Sequence, residues 1–397
     1  MKILVINAGS SSLKYQLFDM ETGKVLAKGV CEKIGLSGMI THKRPGADTH
    51  KAEHPMPSHN EALALVLQLL TDKDLGVIGS TDEIAAIGHR FAHGGKFSDS
   101  RMLDDESIAY LESIVPLNPL HGPPALKGVA ACKALMAGKP QVGVFDTSFY
   151  SGFEEKVYMY PLPYEWYEKH GVRRYGFHGT SHRYVSAEAA KWLGLDYEKI
   201  KIISCHIGSG SSITAINGGK AVDTTMGFTP QEGVPMGTRC GSIDPSIIPY
   251  IMNKTGMSAT EVDNAMNKQS GLLGLSGVSS DAREIWDAVA AGNERAKLSM
   301  DVLTYRIKKI IGSYAAALNG VDVIVFTAGL GEYDRDVRRM VCEDMEYLGV
   351  AFDAEVNATC PRGERALLTK ADSKVKVVII PTDEEFMIAG DTYRLVK

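Results

Sequence analysis

The sequence contains the same short pattern twice, about half a chain apart. Residues 3–17 and 202–216 each contain an apolar strand, a turn of small residues, and a second strand in which apolar and polar residues alternate. The two turns align, since Ser10-Ser11-Ser12-Leu13 corresponds to Gly210-Ser211-Ser212-Ile213. Each copy then leads into a second turn that contains Gly-Lys. This duplication predicts two domains of related topology that each begin with antiparallel strands.

Turns rich in glycine and serine expose backbone N–H groups and small hydroxyls, which can approach phosphate oxygens because no large side chain intervenes. Two such turns predict two facing cradles for one anionic ligand. The alternative is that these are two unrelated Gly/Ser turns, which are common. The nucleotide-binding patterns G-x-x-x-x-G-K-[S/T] and G-x-G-x-x-G are both absent, so a nucleotide would be bound in another way.

Composition excludes several classes of protein. A chain of 397 residues exceeds the size of one hydrophobic core, which predicts two domains. A net charge of −5 without a dense Lys/Arg run argues against nucleic-acid binding. The six cysteines are scattered without a C-x-x-C pair, which favours reduced thiols. No apolar run approaches the ~20 residues of a membrane span, and the N-terminal apolar run is too short for a signal peptide. We therefore expect a soluble, cytoplasmic protein that binds no membrane.

The order of the predicted elements is that of an α/β protein. In the first half, strands and helices alternate after an antiparallel start, with strands expected at 3–6, 13–17, 24–29, 84–88 and 142–145. In the second half, Thr180 or Ser181 is expected to cap a helix, and a single helix is expected to run from the glycine turn at 329–331 to residue 348. We predict a first domain at 1–150 and a second at 151–381, with a helix at about 382–397 that packs back on the first.

Three polar residues lie at the ends of short apolar strands in the first half: Asn7, Arg90 and Asp146. In α/β sheets, ligands bind beyond the carboxyl ends of the strands, so these side chains are expected to converge on one crevice. The guanidinium fork of Arg90 is suited to bidentate binding of a carboxylate. A surface ion pair is the alternative interpretation for a single arginine.

These features resemble the acetate kinase family, which belongs to the superfamily of acetate and sugar kinases, Hsp70 and actin. The resemblance extends in the same order over nearly the whole chain. Its most specific segments are Asn7-Ala8-Gly9-Ser10-Ser11-Ser12 and Gly176-Phe177-His178-Gly179-Thr180-Ser181-His182. Further matching segments are Arg90, 93–95, 119–121, 144–147, 237–239, 271–274, 279–283, 326–329 and 381–385. The resemblance implies two duplicated ribonuclease H-like domains, of the actin, Hsp70 and sugar-kinase type, around a central cleft.

The resemblance also implies a reaction. Members of the family transfer a phosphoryl group reversibly between ATP and a short-chain carboxylate, giving an acyl phosphate and ADP by direct in-line transfer. They require Mg²⁺, for which Mn²⁺ can substitute, and they form homodimers through the second domain. In such a reaction the protein positions the acid and neutralises charge on the phosphoryl group.

The resemblance further implies which residues act. The residues expected to be catalytic are Asp146, His178 and Arg239. Those expected to bind the carboxylic acid are Arg90, His121, Ala92, Leu120, Phe177 and Pro230. Asn7 and Glu384 are expected to bind the metal ion. Those expected to bind the nucleotide and its phosphates are Ser10, Ser12, Lys14, His206, Ile207, Gly208, Ser209, Gly210, Asp281, Ala282, Arg283, Gly329, Leu330, Gly331, Glu332 and Tyr333.

We interpret Asp146 differently from the family's usual acid/base assignment. A short carboxylic acid, with a pKa like that of Glu at ~4.3, is already ionised at neutral pH and offers no proton. We therefore expect Asp146 to orient Arg90 or the hydrated metal ion.

Three positions depart from the family's common residues. Ser209 replaces a common Asn, and Tyr333 also stands at a position where Asn is common, so both affect the expected nucleotide contacts. Ala92 replaces a Val beside the acyl methyl group, and the larger pocket that results makes a propionate or broader short-chain acyl kinase the alternative. A non-enzyme alternative is an ATP-driven clamp or filament protein of the same superfamily.

Overall fold

Two separate β-sheets organise the chain, one of eight strands and one of six. They are seen in a computed structural model that describes residues 1–397. The chain divides into two compact units: the first contains residues 1–151 and 383–397, and the second contains residues 152–382.

The sheet of the first unit has parallel strands at its centre and antiparallel strands at both edges. Its strands are β1 (Lys2–Ala8), β2 (Ser12–Asp19), β3 (Lys24–Glu32), β4 (Met39–Lys43), β5 (His50–Glu53), β6 (Ile84–Phe91), β7 (Arg101–Met102) and β8 (Gln141–Phe145). They lie in the order β5-β4-β3-β2-β1-β6-β8-β7, and β1, β6 and β8 run parallel to one another. Because these three strands point the same way, the residues at their carboxyl ends share one edge of the sheet.

Three helices of the first unit follow in the sequence: α1 (His59–Thr71), α2 (Asp105–Ser113) and α3 (Gly122–Leu135). Helix α1 begins where the Ser58 hydroxyl accepts a hydrogen bond from the Asn60 N–H. Its buried face, which includes Leu63 and Val66, joins one hydrophobic cluster with residues of β1, β2 and α3. A short 3₁₀ turn, Asp146–Tyr150, follows β8 and holds Asp146 at the sheet edge.

The sheet of the second unit repeats the central pattern of the first. Its strands are β9 (Lys201–Ile207), β10 (Ser211–Asn217), β11 (Lys220–Thr224), β12 (Val323–Thr327), β13 (Ala366–Leu367) and β14 (Lys376–Ile379). Their order is β11-β10-β9-β12-β14-β13. The run β11-β10-β9-β12-β14 matches β3-β2-β1-β6-β8 in strand order and in direction. The repeated sequence pattern is therefore a repeated topology.

Helices surround this second sheet. They are α4 (Glu155–Tyr158), α5 (Tyr164–His170), α6 (Gly179–Leu193), α7 (Ile247–Thr255), α8 (Ala259–Lys268), α9 (Gly271–Ser276), α10 (Ala282–Ala290), α11 (Glu294–Leu318), α12 (Ala328–Tyr333), α13 (Arg335–Cys342) and α14 (Ala354–Thr359). Helix α11 is the longest, and buried residues such as Leu303, Ile307 and Ile311 join it to the main hydrophobic cluster of this unit. None of these helices, and no other helix of the chain, is both long enough and apolar enough to span a membrane.

The last helix, α15 (Glu384–Val396), belongs to the first unit. It packs on β1, β6 and β8, and its buried residues Ile388 and Ala389 cluster with apolar residues of β1 and β8. A Cβ atom at Gly88 in β6 would overlap Ile388 and Thr392, so only glycine lets the helix approach this closely. Near the far end of the helix, the Ser100 hydroxyl donates a hydrogen bond of 2.6 Å to Asp391.

Several predicted elements need correction. Strands β4, β5 and β7 were not predicted. Helix α6 begins after His178 in a left-handed conformation (φ 57°) and not at a side-chain cap from Thr180 or Ser181. The single helix predicted up to residue 348 is divided, because the Asp334 side chain accepts hydrogen bonds from the Asp336 and Val337 N–H groups and begins a new helix, α13.

Candidate functional site

In the first unit, Arg90 lies between two carboxylates. Its Nη2 atom donates to Oδ2 of Asp146 at 2.8 Å, and its Nε atom lies 3.5 Å from Oδ1 of the same residue. On the other side, Nε lies 3.3 Å from Oε2 of Glu384 at the start of α15. The side chain of Asp146 is 1% exposed and that of Arg90 is 24% exposed. The guanidinium is therefore held at a fixed position while part of it still faces solvent.

These three charges change one another's pKa values. Burial alone would lower the pKa of Arg90, but the carboxylates of Asp146 and Glu384 outweigh it and raise that pKa above its usual value. Burial raises the pKa of Glu384 to about 7, with Arg90 acting in the opposite direction. Burial therefore disfavours the charged form of Glu384, and the neighbouring Arg90 favours it.

The first glycine-serine turn lies at the same edge of the sheet. Asn7, the last residue but one of β1, pairs with Lys14 of β2, and the positive charge of Lys14 lowers the pKa of Glu384. Within the turn, the Gly9 N–H donates to the Ser12 carbonyl at 2.8 Å, and Ser10 is exposed at the tip. The structure therefore pairs Asn7 with Lys14 at the edge of the sheet where Arg90 meets Asp146, and this is the edge that the parallel strands β1, β6 and β8 lead us to expect.

The remaining residues predicted to bind the acid lie at different levels of exposure. In the first unit, Ala92 follows β6 and is partly buried, whereas Leu120 is 66% exposed and His121 directly precedes α3. In the second unit, Phe177 is buried and Pro230 is partly buried. Their grouping into one acyl pocket stays a prediction.

In the second unit, two histidines stack against each other. The rings of His178 and His206 lie 4.2 Å apart between centroids, at an angle of 24°. Nδ1 of His178 lies 2.9 Å from the hydroxyl of Ser212, which also lies 2.8 Å from Nε2 of His182. Burial lowers the pKa of His182 well below its usual value, and the neighbouring His206 lowers it further. His182 is therefore a neutral, structural member of this cluster.

Arg239 lies near the same histidines. A Cβ atom at Gly210 would lie 3.3 Å from His178 Nε2 and 3.8 Å from Nη1 of Arg239, so the second glycine-serine turn faces both side chains. The Arg239 guanidinium donates to the Pro230 carbonyl at 3.0 Å and to the Met236 sulfur at 3.5 Å. Neither partner is a carboxylate, and burial lowers the pKa of Arg239. This arginine therefore keeps a positive charge that no acidic side chain neutralises.

A cavity of about 640 Å³ opens beside the second glycine-serine turn. The residues predicted to bind the nucleotide that line it are Gly208, Ser209, Asp281, Ala282, Arg283, Gly329, Leu330 and Tyr333. Other side chains in its wall are Trp286, Arg335 and Arg362. The cavity has room for a nucleotide, and its lining is partly apolar and partly charged, with Asp281, Asp334 and Asp336 beside the three arginines.

Eight residues predicted to bind the nucleotide or its phosphates are not in this wall: Ser10, Ser12 and Lys14 of the first unit, and His206, Ile207, Gly210, Gly331 and Glu332 of the second. Glu332 is 8% exposed. Its Oε1 atom accepts hydrogen bonds from the Ala328 N–H at 2.8 Å, from the Thr382 N–H at 3.1 Å and from the Thr327 hydroxyl at 3.2 Å. The Glu332 carboxylate thus holds the turn at Thr327–Ala328, which lies between β12 and the cavity residues Gly329 and Leu330.

The turn that Glu332 holds is strained. Ala328 has a φ of 65°, a conformation that costs a residue with a side chain about 1–2 kcal/mol. Arg338 supports the same turn from its other end, because its Nη1 atom donates to the carbonyls of Gly331 and Glu332. Strained backbone that is held this firmly is frequent at ligand-binding sites.

Sequence reasoning missed the hydroxyl groups that connect these parts. The Ser181 hydroxyl lies 2.8 Å from Nδ1 of His206 and 2.8 Å from the Thr382 hydroxyl. Ser212 connects His178 with His182, as described above. Ser181 and Ser212 both lie in the segments that the sequence singled out, so the signal was present, but which partner each hydroxyl contacts depends on the packing.

Comparison with known proteins gives a consistent result. A sequence model of the acetokinase family matches residues 2–390. The acetate kinase of Thermoanaerobacter pseudethanolicus is 52% identical over 400 residues, which cover 100% of this chain and 99% of that protein. The crystal structure of Porphyromonas gingivalis acetate kinase is similar with a TM-score of 0.95 and 52% identity, covering 100% of both chains. That of a propionate kinase from Francisella tularensis has a TM-score of 0.92 at 37% identity, covering 99% of both chains.

The two-domain α/β fold and these matches define the chain as a kinase, an enzyme that transfers phosphoryl groups. The chain belongs to the acetokinase family. The family and the fold class inferred from the sequence are therefore confirmed. Because the chain is an enzyme, the alternative of a clamp or filament protein is set aside.

Proposed function

We propose that this enzyme is an acetate kinase, which transfers a phosphoryl group reversibly between ATP and acetate to give acetyl phosphate and ADP by direct in-line transfer. The observation that carries the proposal is Arg90, a partly exposed guanidinium held between Asp146 and Glu384 at the edge of the first sheet. A surface ion pair would not be enclosed by two carboxylates of which one is almost fully buried.

Arg90 binds the carboxylate of the acid in this proposal. Its Nη2 and Nε atoms are used by Asp146 and Glu384, which fix the plane of the guanidinium. The remaining N–H groups are available for the substrate, since a guanidinium has five donors in a rigid arrangement. Asp146 is a positioning residue here, because it contacts Arg90 and because an ionised acid has no proton to give up at neutral pH.

Arg239 and His178 stabilise the charge of the phosphoryl group during transfer. Arg239 suits this role because no carboxylate neutralises it, so an incoming anion finds an unpaired cation in a partly buried environment. The ring of His178 is fixed by its stacking on His206 and its contact with Ser212. Fixed donors of this kind need no reorganisation as charge develops.

A Mg²⁺ ion fits the acidic edge of the first unit. Asn7 and Glu384 are the residues that would hold it, and Asp146 adds a second carboxylate nearby. The fit rests on the donor set, because Asn7 offers an amide oxygen and Glu384 and Asp146 offer carboxylate oxygens on either side of Arg90. Mg²⁺ retains most of its waters and needs only one or two such oxygen ligands, and Mn²⁺ can substitute for it. When bound, the metal ion neutralises charge on the phosphates of the nucleotide.

The nucleotide occupies the cavity of the second unit, between the turn at 208–210 and the turn before α12. Ser209 and Tyr333, where the family commonly has asparagine, both line it. Ser10, Ser12 and Lys14 act on the phosphates from the first glycine-serine turn. His206 and Glu332 support the walls of the cavity, because their described contacts lie within the protein.

The partners follow from this reaction: ATP or ADP, and acetate or acetyl phosphate. A homodimer formed through the second unit is supported by exposed apolar side chains on its helices, among them Ile247, Tyr250 and Tyr305. A cytoplasmic location is supported by the free state of all six cysteines. Propionate is the second candidate substrate, because Ala92 is smaller than the Val that is common at this position.

A hydroxamate assay for acyl phosphate tests the proposal directly. The enzyme, ATP and Mg²⁺ are incubated with acetate, propionate or butyrate, and kcat/KM is measured for each acid. We expect the highest value for acetate. One methylene group in an apolar pocket changes the free energy of binding by about 1–3 kcal/mol, so the kcat/KM values of the acids should differ clearly. A kcat/KM that is lower for acetate than for propionate would favour a propionate kinase. No acyl phosphate from any of the acids would refute the proposal.

A further inference from the structure

The second unit contains a polar cluster that no predicted site residue belongs to: Tyr160, Arg174 and Glu232. The Tyr160 hydroxyl donates a hydrogen bond to Oε2 of Glu232, and Arg174 Nη2 donates to Oε1 of the same carboxylate at 2.8 Å. The side chains of Arg174 and Glu232 are 17% and 33% exposed. Both carboxylate oxygens of Glu232 are therefore bound by side chains from the segment before His178.

This cluster fixes the backbone of residues 224–232. Arg174 Nη1 donates to the carbonyls of Thr224, Thr225 and Met226, at 2.9, 3.2 and 3.2 Å. The Phe228 N–H donates to the Tyr160 hydroxyl at 2.9 Å. The hydroxyl thus accepts from the backbone while it donates to Glu232. It stays protonated, because burial and the neighbouring carboxylate raise the pKa of Tyr160.

The same backbone is joined to the residues just before His178. The N–H groups of Tyr175 and Gly176 both donate to the Gly227 carbonyl, at 3.0 and 3.3 Å. A Cβ atom at Gly227 would overlap both the Glu232 carboxylate and the Tyr160 hydroxyl. The close approach of backbone and carboxylate at Gly227 therefore requires glycine.

The segment held in this way carries the contact that positions Arg239. The Pro230 carbonyl, two residues before Glu232, accepts the hydrogen bond from Arg239 Nη1 at 3.0 Å. At the other end of the cluster, His178 follows Arg174 by four residues. A movement of residues 224–232 would therefore shift the partner of Arg239 and the segment that leads to His178 together.

We infer that Tyr160, Arg174 and Glu232 are positioning residues that hold Arg239 and His178 in register for phosphoryl transfer. The inference rests on the proposed function, since it takes Arg239 and His178 as the groups that act on the phosphoryl group. A misplacement of about 1 Å in such groups costs a large factor in rate, up to about 100-fold. The cavity for the nucleotide is lined by other segments, at 208–209, 280–286 and 329–336, together with Leu272 and Arg362, so we expect ATP binding to change less than kcat.

Tyr160→Phe is the sharpest test, because it removes one hydroxyl and leaves the ring in place. We expect kcat to fall about 10-fold or more, while KM for ATP stays within about 2-fold of the original value. Glu232→Gln keeps an acceptor oxygen, so it should retain more activity than Glu232→Ala. The control is Tyr158→Phe, because the Tyr158 hydroxyl lies in the same segment but contacts Tyr167 at 3.4 Å and not the cluster. An unchanged kcat in Tyr160→Phe, or an equal loss in Tyr158→Phe, would overturn the inference.

A crystal structure of the Tyr160→Phe variant provides a readout that needs no substrate. Displacement of the Arg239 guanidinium from the Pro230 carbonyl supports the inference, and an unmoved Arg239 contradicts it. Wild-type enzyme that makes no acyl phosphate from acetate would refute the proposed function, and the crystal structure would then still decide whether the cluster positions Arg239. A variant in which kcat falls and KM for ATP rises to the same extent, with a lower Tm, would show a purely structural role.

Discussion

Replacing Asp146 with asparagine tests whether this carboxylate orients Arg90 or transfers a proton. Asp146 accepts from Arg90 Nη2 at 2.8 Å and is 1% exposed. Asparagine has nearly the same size and keeps one acceptor oxygen, but it removes the negative charge. Arg90 would keep only Glu384 as an ionic partner, so we expect its orientation to be less well fixed in a protein that still folds.

The size of the effect follows from the contact that is lost. A hydrogen bond to a charged group contributes about 1.5–3 kcal/mol, and each 1.36 kcal/mol corresponds to a factor of ten in rate. Asp146→Asn should therefore lower kcat/KM for acetate about 10- to 150-fold. Loss of a general acid or base costs about 10²- to 10⁴-fold, a range that overlaps with this one. The pH profile must therefore distinguish the two roles.

The assay measures acyl phosphate formation from about pH 5 to pH 9 for the wild type and for Asp146→Asn. We expect a lower rate and a pH profile of unchanged shape. In an Arg90→Lys background the same change should cost less than about 3-fold, because residues that act through one another are not additive. Asp105→Asn, an exposed change in the same unit, is the control. An ionisation that disappears from the profile, or a full effect in the Arg90→Lys background, would refute the orienting role.

Four other changes have defined outcomes. Glu384→Gln should raise the Mg²⁺ concentration for half-maximal rate about 10-fold or more, as a metal titration would measure, because it removes the charged ligand that we propose for the metal ion. Ala92→Val should lower kcat/KM for propionate about 10-fold relative to acetate, since it fills the space of one methyl group. Ala328→Gly should raise the free energy of unfolding by up to about 1 kcal/mol in urea, because it relieves a φ of 65°. Burial lowers the pKa of His89 from 6.5 to about 4. The neutral form of His89 therefore stabilises the fold fully above pH 6.5. This contribution to the free energy of unfolding, about 3 kcal/mol, is lost as the pH falls towards 4. Urea unfolding of His89→Gln should show a shallower loss over that interval.

The duplicated pattern of the sequence led directly to the architecture. Strand periodicity and the small-residue turns give β1, β2, β9 and β10, because local alternation of apolar residues is enough to define a hairpin. Strands β4 and β5 were not predicted because Met39–Lys43 is only five residues long with a single buried aliphatic residue, and the edge strand His50–Glu53 is polar without a buried residue. Their pairing is a tertiary effect that the local sequence does not report.

The candidate site was accessible to sequence reasoning in a similar, partial way. Arg90 and Asp146 could be placed at one edge because they end parallel strands, and the structure joins them. The direction of the Glu332 side chain could not be known, since it depends on three donors, one of which is Thr382, fifty residues further along the chain. The cluster at Tyr160 was not predicted for the same reason: no local sequence pattern indicates that a tyrosine will form a hydrogen bond with a carboxylate far along the chain.

The return of α15 to the first unit has a consequence for the order of folding during synthesis. Residues 383–397 leave the ribosome after all of residues 152–382, although they belong with residues 1–151. Until the whole second unit has been synthesised, the face of β1, β6 and β8 that α15 covers in the finished protein stays uncovered. Glu384 arrives with that last helix, so Arg90 meets its second carboxylate only then. A nascent or prematurely ended chain would therefore complete the cavity of the second unit before the edge at which we propose the metal ion, and on this proposal phosphoryl transfer would begin only when α15 is in place.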